Sequence, residues 1–296
     1  PITCIQNPAA GKEKELGIGT LQKAENPKKV MIAGGGVAGM KVAEIAARRG
    51  HEVVLYEKDA VLGGQIHLVK HIPFRNEFSE VARYIEYEIK QMDNIRIQTS
   101  RVCDLQTIEE ENPDIFIVAT GAVELIPDMV KTPKAVTSWD ILKNKVEIGK
   151  NILVYDPLSF NEGVGIVEHL FETYEDIKVH YITPQNDIAM NAKNENKDIL
   201  LRRLLPLDLR ITPHMALIEA DADKLIFRKT YTDKEMSIWD SAFDNFIYTG
   251  HMKSTDDLFW KLEDEKNMEV YRLGYAKAPS SVEIIIREAD LLARSI

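Results

Sequence analysis

The chain has 296 residues, with 37 Lys and Arg against 47 Asp and Glu, and its formal charge is −10. This acidic balance argues against nucleic acid as a partner, because phosphate binding needs a basic face. The composition is 45% hydrophobic and 28% charged, as in ordinary globular domains. No apolar run approaches the roughly 20 residues that span a bilayer, so we expect no membrane partner either.

Cysteine usage indicates a reducing compartment. The two cysteines, Cys4 and Cys103, are too few for a disulfide framework, and no signal peptide is recognisable. We therefore predict a cytoplasmic protein. The first residue is Pro1 rather than Met, and we interpret the sequence as a piece of a longer protein.

The first half of the chain alternates strand-like and helical patterns. Residues 1–27 contain many turn formers and are predicted to be an irregular arm. A buried strand over 28–33 is then followed by a helical run over 37–49, which stops at Gly50, and by the strand HEVVLYE at 51–57. A helix over 78–92 and two strands complete the pattern, NIRIQTS at 94–100 and DIFIVATG at 114–121.

A second strand–helix–strand pattern starts at Lys150, with KNILVYD, GVGIVEHLFETY and KVHYITP. Strands and hairpins are predicted over 209–229 and 243–250. The last element, 280–296, is an amphipathic helix in which Ser280 and Glu283 have capping-box spacing. Alternating strands and helices predict parallel sheets covered on both faces.

The segment VMIAGGGVAG at 30–39 satisfies the pattern G-x-G-x-x-G between a strand and a helix. Gly34 is predicted to permit a tight turn, Gly36 to let a diphosphate approach the backbone, and Gly39 to let helix and strand pack closely. Glu57 ends the next strand, about 20 residues on, where an acid binds ribose hydroxyls. The predicted site also includes the first helical residues, Val37 and Ala38, which offer free amides, and Lys58 beside the acid.

Two later turns favour FAD over NAD in this site. LGGQ at 62–65 provides Gly64 and Gln65, and ATG at 119–121 provides Ala119, Thr120 and Gly121. Each turn is common when taken singly, but their order along the chain is typical of flavoproteins with two dinucleotide domains.

These motifs resemble the C-terminal half of the iron–sulfur flavoenzymes that include trimethylamine dehydrogenase, 2,4-dienoyl-CoA reductase and the bacterial N-methylproline and dimethylglycine demethylases. The resemblance covers nearly the whole chain. It begins with CIQNPAAGKE at 4–13 and ends with LGYAKAP at 273–279, which contains Gly274, and the closing helix. It implies a parent enzyme with an N-terminal (β/α)₈ barrel that holds FMN, followed by a [4Fe–4S] cluster. In that comparison Cys4 matches the fourth cluster ligand, and the other three cysteines lie upstream of this chain, which alone cannot ligate a four-iron cluster.

The sequence departs from the family at two places. The second dinucleotide loop, YDPLSFNEGVG at 155–165, has glycines only at 163 and 165, with Leu158 and Phe160 where a backbone would approach a diphosphate. An NAD(P)H site there is therefore not favoured, and the family's demethylases share such degenerate loops. The family's aspartate in the last motif is replaced by Tyr275, which leaves open whether FAD or only ADP is bound.

The resemblance implies an α/β fold of two Rossmann-like, three-layer dinucleotide-binding domains, the second inserted into the first. We assign 28–148 plus 256–296 to the FAD- or ADP-binding domain and 149–255 to the degenerate NAD(P)-like domain. The implied function is the FAD-binding portion of an oxidoreductase that passes electrons between barrel-bound FMN, the cluster and an acceptor, in amine demethylation or enoyl reduction. The alternatives are a non-catalytic module holding structural ADP and a self-contained NAD(P)H-dependent flavin reductase. No catalytic residue is assigned; a small-molecule substrate on the barrel is expected, and a protein electron acceptor and a homo-oligomer are left open.

Overall fold

The computed structural model describes residues 2–190 and 194–296. The chain folds into two compact units, which we call unit 1 (Pro1–Lys70, Asn76–Val123 and Ser254–Ile296) and unit 2 (His71–Arg75 and Glu124–Lys253). The larger part of unit 2 is thus inserted into the sequence of unit 1.

The strands are β1 (Lys29–Ala33), β2 (Glu52–Tyr56), β3 (Ile95–Gln98), β4 (Ile115–Val118), β5 (Ala122–Glu124), β6 (Ala135–Thr137), β7 (Asn151–Tyr155), β8 (Lys178–Ile182), β9 (Leu209–Thr212), β10 (Met215–Ala220), β11 (Lys224–Lys229), β12 (Glu235–Trp239), β13 (Asn245–Tyr248), β14 (Met252–Ser254) and β15 (Glu269–Arg272). The helices are α1 (Glu13–Leu16), α2 (Val37–Arg49), α3 (Ile66–Val69), α4 (Phe78–Lys90), α5 (Leu105–Glu111), α6 (Ser138–Leu142), α7 (Asn161–Thr173), α8 (Asn194–Leu204), α9 (Asp257–Leu262) and α10 (Val282–Ser295). Short 3₁₀ turns occur at Asp240–Ala242 and Gly274–Ala276.

Unit 1 is built on a parallel sheet with the strand order β15-β4-β1-β2-β3. Because successive strand residues point to opposite faces, β1 serves two cores. Val30 and Ile32 pack in a cluster with residues of α2, α4 and α10, whereas Met31 and Ala33 pack with residues of α5 and α9. Unit 1 is therefore the three-layer arrangement predicted from the sequence.

Two helices of this layer have capped termini, α2 at its end and α10 at its start. At the end of α2, Gly50 takes a left-handed conformation at φ +101°, and its amide donates to the carbonyls of Ala46 and Ala47. At the start of α10, the hydroxyl of Ser281 accepts from the amide of Ile284. The prediction of Ser280 as the cap was wrong by one residue, because the chain is still extended at Ser281 and turns helical only at Val282.

Unit 2 repeats the parallel topology, with the order β6-β13-β7-β8-β9. One face of this sheet is covered by the antiparallel strands β10, β11 and β12, so that Tyr155 and Phe246 share a core with Leu225 and Phe227. On the other face α7 packs against β7. The α/β class with two Rossmann-like domains is thus confirmed.

The borders of the two units differ from those assigned by sequence. The chain enters unit 2 after Val123 and leaves it after Lys253, whereas the sequence placed these borders after 148 and 255. Residues 124–148 lie in unit 2 because they carry β6, which pairs in parallel with β13. Within the described residues, every helix falls short of the length and apolar character required to cross a membrane.

Candidate nucleotide-binding site

Several predicted site residues meet at the carboxyl-terminal edge of the unit 1 sheet. Strand β1 leads into Gly34, β2 into Glu57, β4 into Ala119, and β15 into the turn at Gly274. In open α/β sheets this edge is where ligands bind. The sequence predictions therefore converge on one region of the molecule.

The three glycines of the predicted pattern lie in different surroundings. Gly34 has φ +109°, and a side-chain carbon there would lie 2.3 Å from the carbonyl oxygen of Ala119. A side-chain carbon on Gly39 would lie 2.0 Å from the carbonyl oxygen of Gly34. A side-chain carbon on Gly36, in contrast, would have no heavy atom of the described residues within 4 Å beyond its chain neighbours. Gly34 and Gly39 thus allow close backbone packing, while Gly36 borders open space.

Gly35 is a site residue that the sequence pattern did not identify. A side-chain carbon there would lie 2.5 Å from Cδ2 of Leu62 and 3.0 Å from Cβ of Glu57. Its amide donates a 2.7 Å hydrogen bond to Oε2 of Glu57. The third adjacent glycine was the available signal, because G-x-G-x-x-G leaves that position unspecified.

Glu57 is buried, with 6% of its surface exposed. Besides the bond from Gly35, its Oε1 accepts from the amide of Asp59 at 2.8 Å. A carboxylate has about four lone-pair sites, so two remain for a ligand. Lys58, which follows it, is exposed.

The LGGQ turn lies directly against the first glycine loop. The amide of Gly63 donates to the carbonyl of Gly35 at 2.8 Å, and a side-chain carbon on Gly64, which has φ +57°, would lie 3.3 Å from Cα of Gly36. Gln65 donates from Nε2 to the carbonyl of Ala122 at 2.9 Å. The two glycine loops therefore line one site, and Gln65 links them to the turn after β4.

The ATG turn is held by Thr255, which sequence reasoning missed. The amide of Thr255 donates to the carbonyl of Gly121 at 3.0 Å, and its hydroxyl lies 2.8 Å from the carbonyl of Thr120. In return, the hydroxyl of Thr120 donates to the carbonyl of Thr255. Because the two threonines are 135 positions apart, no local pattern could have shown the pair.

Gly274 and Tyr275 form the remaining edge of the site. Gly274 has φ +61°, and a side-chain carbon there would lie 3.0 Å from Cβ of Ala38. The carbonyl of Tyr275 accepts from the hydroxyl of Ser254 at 2.8 Å, and its side chain packs against the core cluster of α2 and α10. Gly274 therefore lies next to the first turn of α2.

Cys4 lies away from these loops, in the N-terminal arm. Its thiol is exposed, and Sγ accepts from the amide of Asn7 at 3.4 Å. Within the described residues, no group of three His, Cys, Asp or Glu is arranged to hold a metal ion, so this chain alone does not fit a four-iron cluster. Cys103 packs against the core, and burial raises the pKa of its thiol to about 12.

Residues 28–153 match the family described as pyridine nucleotide-disulphide oxidoreductase. The chain is 27% identical over 281 residues to N,N-dimethylglycine/sarcosine dehydrogenase of Chromohalobacter salexigens, covering 89% of this chain and 39% of the relative. It is 37% identical over 221 residues to bilirubin reductase of Mediterraneibacter gnavus, covering 65% and 34%.

Solved structures agree with the fold. The chain resembles histamine dehydrogenase from Rhizobium sp. 4-9 with a TM-score of 0.88 and 19% identity, covering 99% of this chain and 48% of that one. It resembles thioredoxin reductase from T. acidophilum with a TM-score of 0.63 and 16% identity, covering 92% and 99%. The chain spans less than half the length of the dehydrogenase and of the bilirubin reductase named above.

Proposed function

We propose that unit 1 binds FAD with its diphosphate beside Gly36, on the premise that residues 28–153 match the pyridine nucleotide-disulphide oxidoreductase family, whose members are FAD-dependent oxidoreductases. The observation that carries the proposal is the open space at Gly36, because side-chain carbons at Gly34, Gly35 and Gly39 would all collide with neighbouring atoms. Only at Gly36 does the loop leave room for a ligand to reach the backbone.

The residues around this space supply what an adenosine diphosphate group needs. The amides of Val37, Ala38 and Gly39 open α2, and a helix N-terminus binds anions through free N–H groups and its partial positive charge. Glu57 accepts the ribose hydroxyls with the lone pairs that Gly35 and Asp59 leave unused. The diphosphate therefore lies between the two glycine loops.

The flavin end of the nucleotide would extend toward the turn after β4. Gly64, Gln65, Gly121 and Gly274 border that direction, with Thr120 held by Thr255. When bound, FAD supplies hydride and single-electron transfer. The part of this chain is to bind and orient it, and we assign no catalytic residue here.

We further propose that this chain is the nucleotide-binding portion of an iron–sulfur flavoprotein oxidoreductase. Curated relatives named dimethylglycine/sarcosine dehydrogenase, N-methylproline demethylase and cinnamate reductase are longer than this chain. Substrate chemistry, in amine demethylation or enoyl reduction, would then take place on a barrel that holds FMN. Cys4 would supply one cluster ligand, and we derive no step through the cluster because its other ligands are not in this chain.

The proposal includes the cellular location and the partners of the enzyme. A cytoplasmic location fits the two free thiols. A protein electron acceptor and assembly into a homo-oligomer stay proposals, and neither nucleic acid nor a membrane is proposed as a partner.

A second candidate function is a module that holds ADP as a structural element. The observation that favours it is Tyr275, which replaces the aspartate of the resembled family next to Gly274. A phenol is much larger than a carboxylate and donates one hydrogen bond. It would crowd the flavin end and leave the adenosine end beside Gly36 unchanged.

The test is the nucleotide content of the purified chain. Flavin absorbance at about 450 nm in stoichiometric amount supports FAD, while colourless protein that releases ADP on denaturation supports the second candidate. Gly36→Val should lose either nucleotide because its side chain fills the open space. Gly50→Asn, at the opposite end of α2, is the control and should retain it, because Asn tolerates the left-handed conformation. Full nucleotide content in the Gly36→Val variant would contradict the proposal.

Oxidation of NADH or NADPH by the isolated chain would instead support a self-contained flavin reductase.

A further inference from the structure

Backbone hydrogen bonds show which residues of unit 2 stand at the same sheet positions as the site residues of unit 1. In unit 1 the amide of Gly34 donates to the carbonyl of Tyr56 at 2.8 Å, and in unit 2 the amide of Asp156 donates to the carbonyl of Ile182 at 3.0 Å. Each donor is the first residue after the leading strand, and each acceptor ends the next strand. Asp156 therefore occupies the position of Gly34, the turn glycine of the nucleotide site.

The same hydrogen-bond pattern identifies the residue of unit 2 that corresponds to Glu57, the acid proposed to bind ribose. The amide of Glu57 donates to the carbonyl of Gln98 at 2.9 Å, and the amide of Thr183 donates to the carbonyl of Thr212 at 3.2 Å. Thr183 thus stands where unit 1 has Glu57. It is fully buried, and its hydroxyl accepts from the amide of Gln185 at 3.2 Å.

The carboxylate of Asp156 binds the loop that follows it. Oδ1 accepts from the amides of Leu158 at 3.1 Å and Ser159 at 2.7 Å, and Oδ2 accepts from the hydroxyl of Tyr181 at 2.7 Å. A side-chain carbon on Gly163, in the first turn of α7, would lie 1.9 Å from Oδ2. An internal anion thus fills the space between the loop and the helix, and it bonds two loop amides.

The charge of this loop also opposes a phosphate. Glu162 lies in the first turn of α7, where it already takes the favourable position for a negative charge at a helix N-terminus. Burial raises the pKa of Asp156 to about 6, so its carboxyl is mainly ionised above neutral pH. A diphosphate placed on this loop would meet two carboxylates.

The residue at the ribose position, Thr183, is uncharged, unlike Glu57. A Rossmann domain binds NAD through an acid at the end of the second strand, or NADP through a nearby arginine. Residues 183–187 read TPQND and contain no basic residue. The acid in this segment, Asp187, is paired with Lys197 at 3.0 Å.

We propose that unit 2 is a Rossmann-like domain closed to pyridine nucleotides, in which the Asp156 carboxylate fills the space between the loop and the first turn of α7 that a nucleotide phosphate would use. The name of the family and that of a relative called NADH oxidase suggest the opposite. Electrons would then enter or leave by a redox partner other than NADH or NADPH bound at unit 2. The proposal is independent of whether unit 1 holds FAD or ADP.

The test is a titration of the deuterated, ¹⁵N-labelled chain with NADH and with NADPH to about 1 mM. The amide resonances are monitored by NMR at pH 7.5 during the titration. We expect the amides of 158–163 to stay unshifted. Shifts confined to Val37, Ala38 and Gly39 would report the ADP half of the ligand at unit 1, and they would support the proposal because the loop of unit 2 stays unshifted.

Phe160→Asp localises any response at the loop. Phe160 is exposed and caps α7, and aspartate is a favourable N-cap, so the variant should fold. Saturable shifts at 158–163 that this added charge weakens about tenfold or more would overturn the proposal. Shifts that Phe160→Asp leaves unchanged would report binding outside the loop and support it.

Discussion

The carboxylate of Glu57 accepts a hydrogen bond from the amide of Gly35 at 2.7 Å, so the acid that would bind the ribose is tied to the loop that would bind the diphosphate. The two residues are 22 positions apart, on the ends of neighbouring strands. This bond fixes the side chain of Glu57 before any ligand arrives, and a fixed group loses little entropy on binding.

Glu57→Gln should weaken the binding of ADP about tenfold to a hundredfold. Glutamine can still accept from Gly35, but its amide nitrogen can accept neither from the amide of Asp59 nor from a ribose hydroxyl, and hydrogen bonds to charged groups contribute about 1.5–3 kcal/mol. Isothermal titration calorimetry of the nucleotide-free chain measures the change. Glu52→Gln, at the exposed start of the same strand, is the control, and equal affinities in the two variants would contradict the role of Glu57.

Gly35→Ala should lower the free energy of unfolding by about 1–3 kcal/mol, because overpacking of a filled site costs this much. The added methyl would meet Cδ2 of Leu62 at 2.5 Å and Cβ of Glu57 at 3.0 Å. Since the nearer contact is the end of a flexible side chain, Leu62→Ala should restore part of the loss in the double variant. Denaturant unfolding of all four proteins gives the coupling free energy, and strictly additive changes would argue that the two residues are not in contact.

Much of the fold could be predicted because it follows from local periodicity. The buried run of β1, the helical spacing of α2 and its stop at Gly50 are each visible within a few residues. The turn glycine Gly34 could be predicted for the same reason, since its left-handed conformation and its sequence pattern are both local. The nucleotide-binding roles assigned to this loop stay predictions.

The features that sequence reasoning missed depend on distant contacts. Thr255 meets Thr120 across 135 positions, and β6 lies in unit 2 because it pairs with a strand about one hundred positions later. The collision that excludes a side chain at Gly35 involves Leu62 and Glu57, which a motif read along the chain does not place. Asp156 lies within the loop predicted to be degenerate, but its bonds to the loop amides and to Tyr181 are visible only in the fold.

Thr255→Val should lower the free energy of unfolding by about 1 kcal/mol and should speed amide exchange around the ATG turn. The Thr255 hydroxyl lies 2.8 Å from the carbonyl of Thr120 and 2.9 Å from that of Gly121, and a net hydrogen bond contributes about 0.5–1.5 kcal/mol. Hydrogen exchange of Ala122 and its neighbours measures the local effect. Thr232→Val, at an exposed turn in unit 2, should leave exchange at the ATG turn unchanged; an equal effect of both substitutions would contradict the assignment.

Asp156→Asn should stabilise unit 2 above pH 6 and should remove part of its pH dependence. Burial raises the pKa of Asp156 from 3.8 to about 6 in the folded chain, so between these values the folded state binds more protons than the unfolded state. The contribution of this group to stability is therefore complete below about pH 4 and is lost as the pH rises through about 6, by roughly 3 kcal/mol in total. Asparagine keeps an oxygen for the amides of Leu158 and Ser159 and does not ionise. The difference in free energy of unfolding between variant and wild type should therefore grow between pH 4 and 6 and level off above pH 7.

Asp244→Asn is the control of opposite sign, because the amides of Asn151 and Lys150 lower the pKa of that carboxyl. Loss of the Asp244 carboxylate should destabilise the chain at neutral pH and should matter less as the pH falls below 4. Urea unfolding across this range measures both, and a difference for Asp156→Asn that stays flat from pH 4 to 7 would show that its carboxyl is not desolvated in the loop.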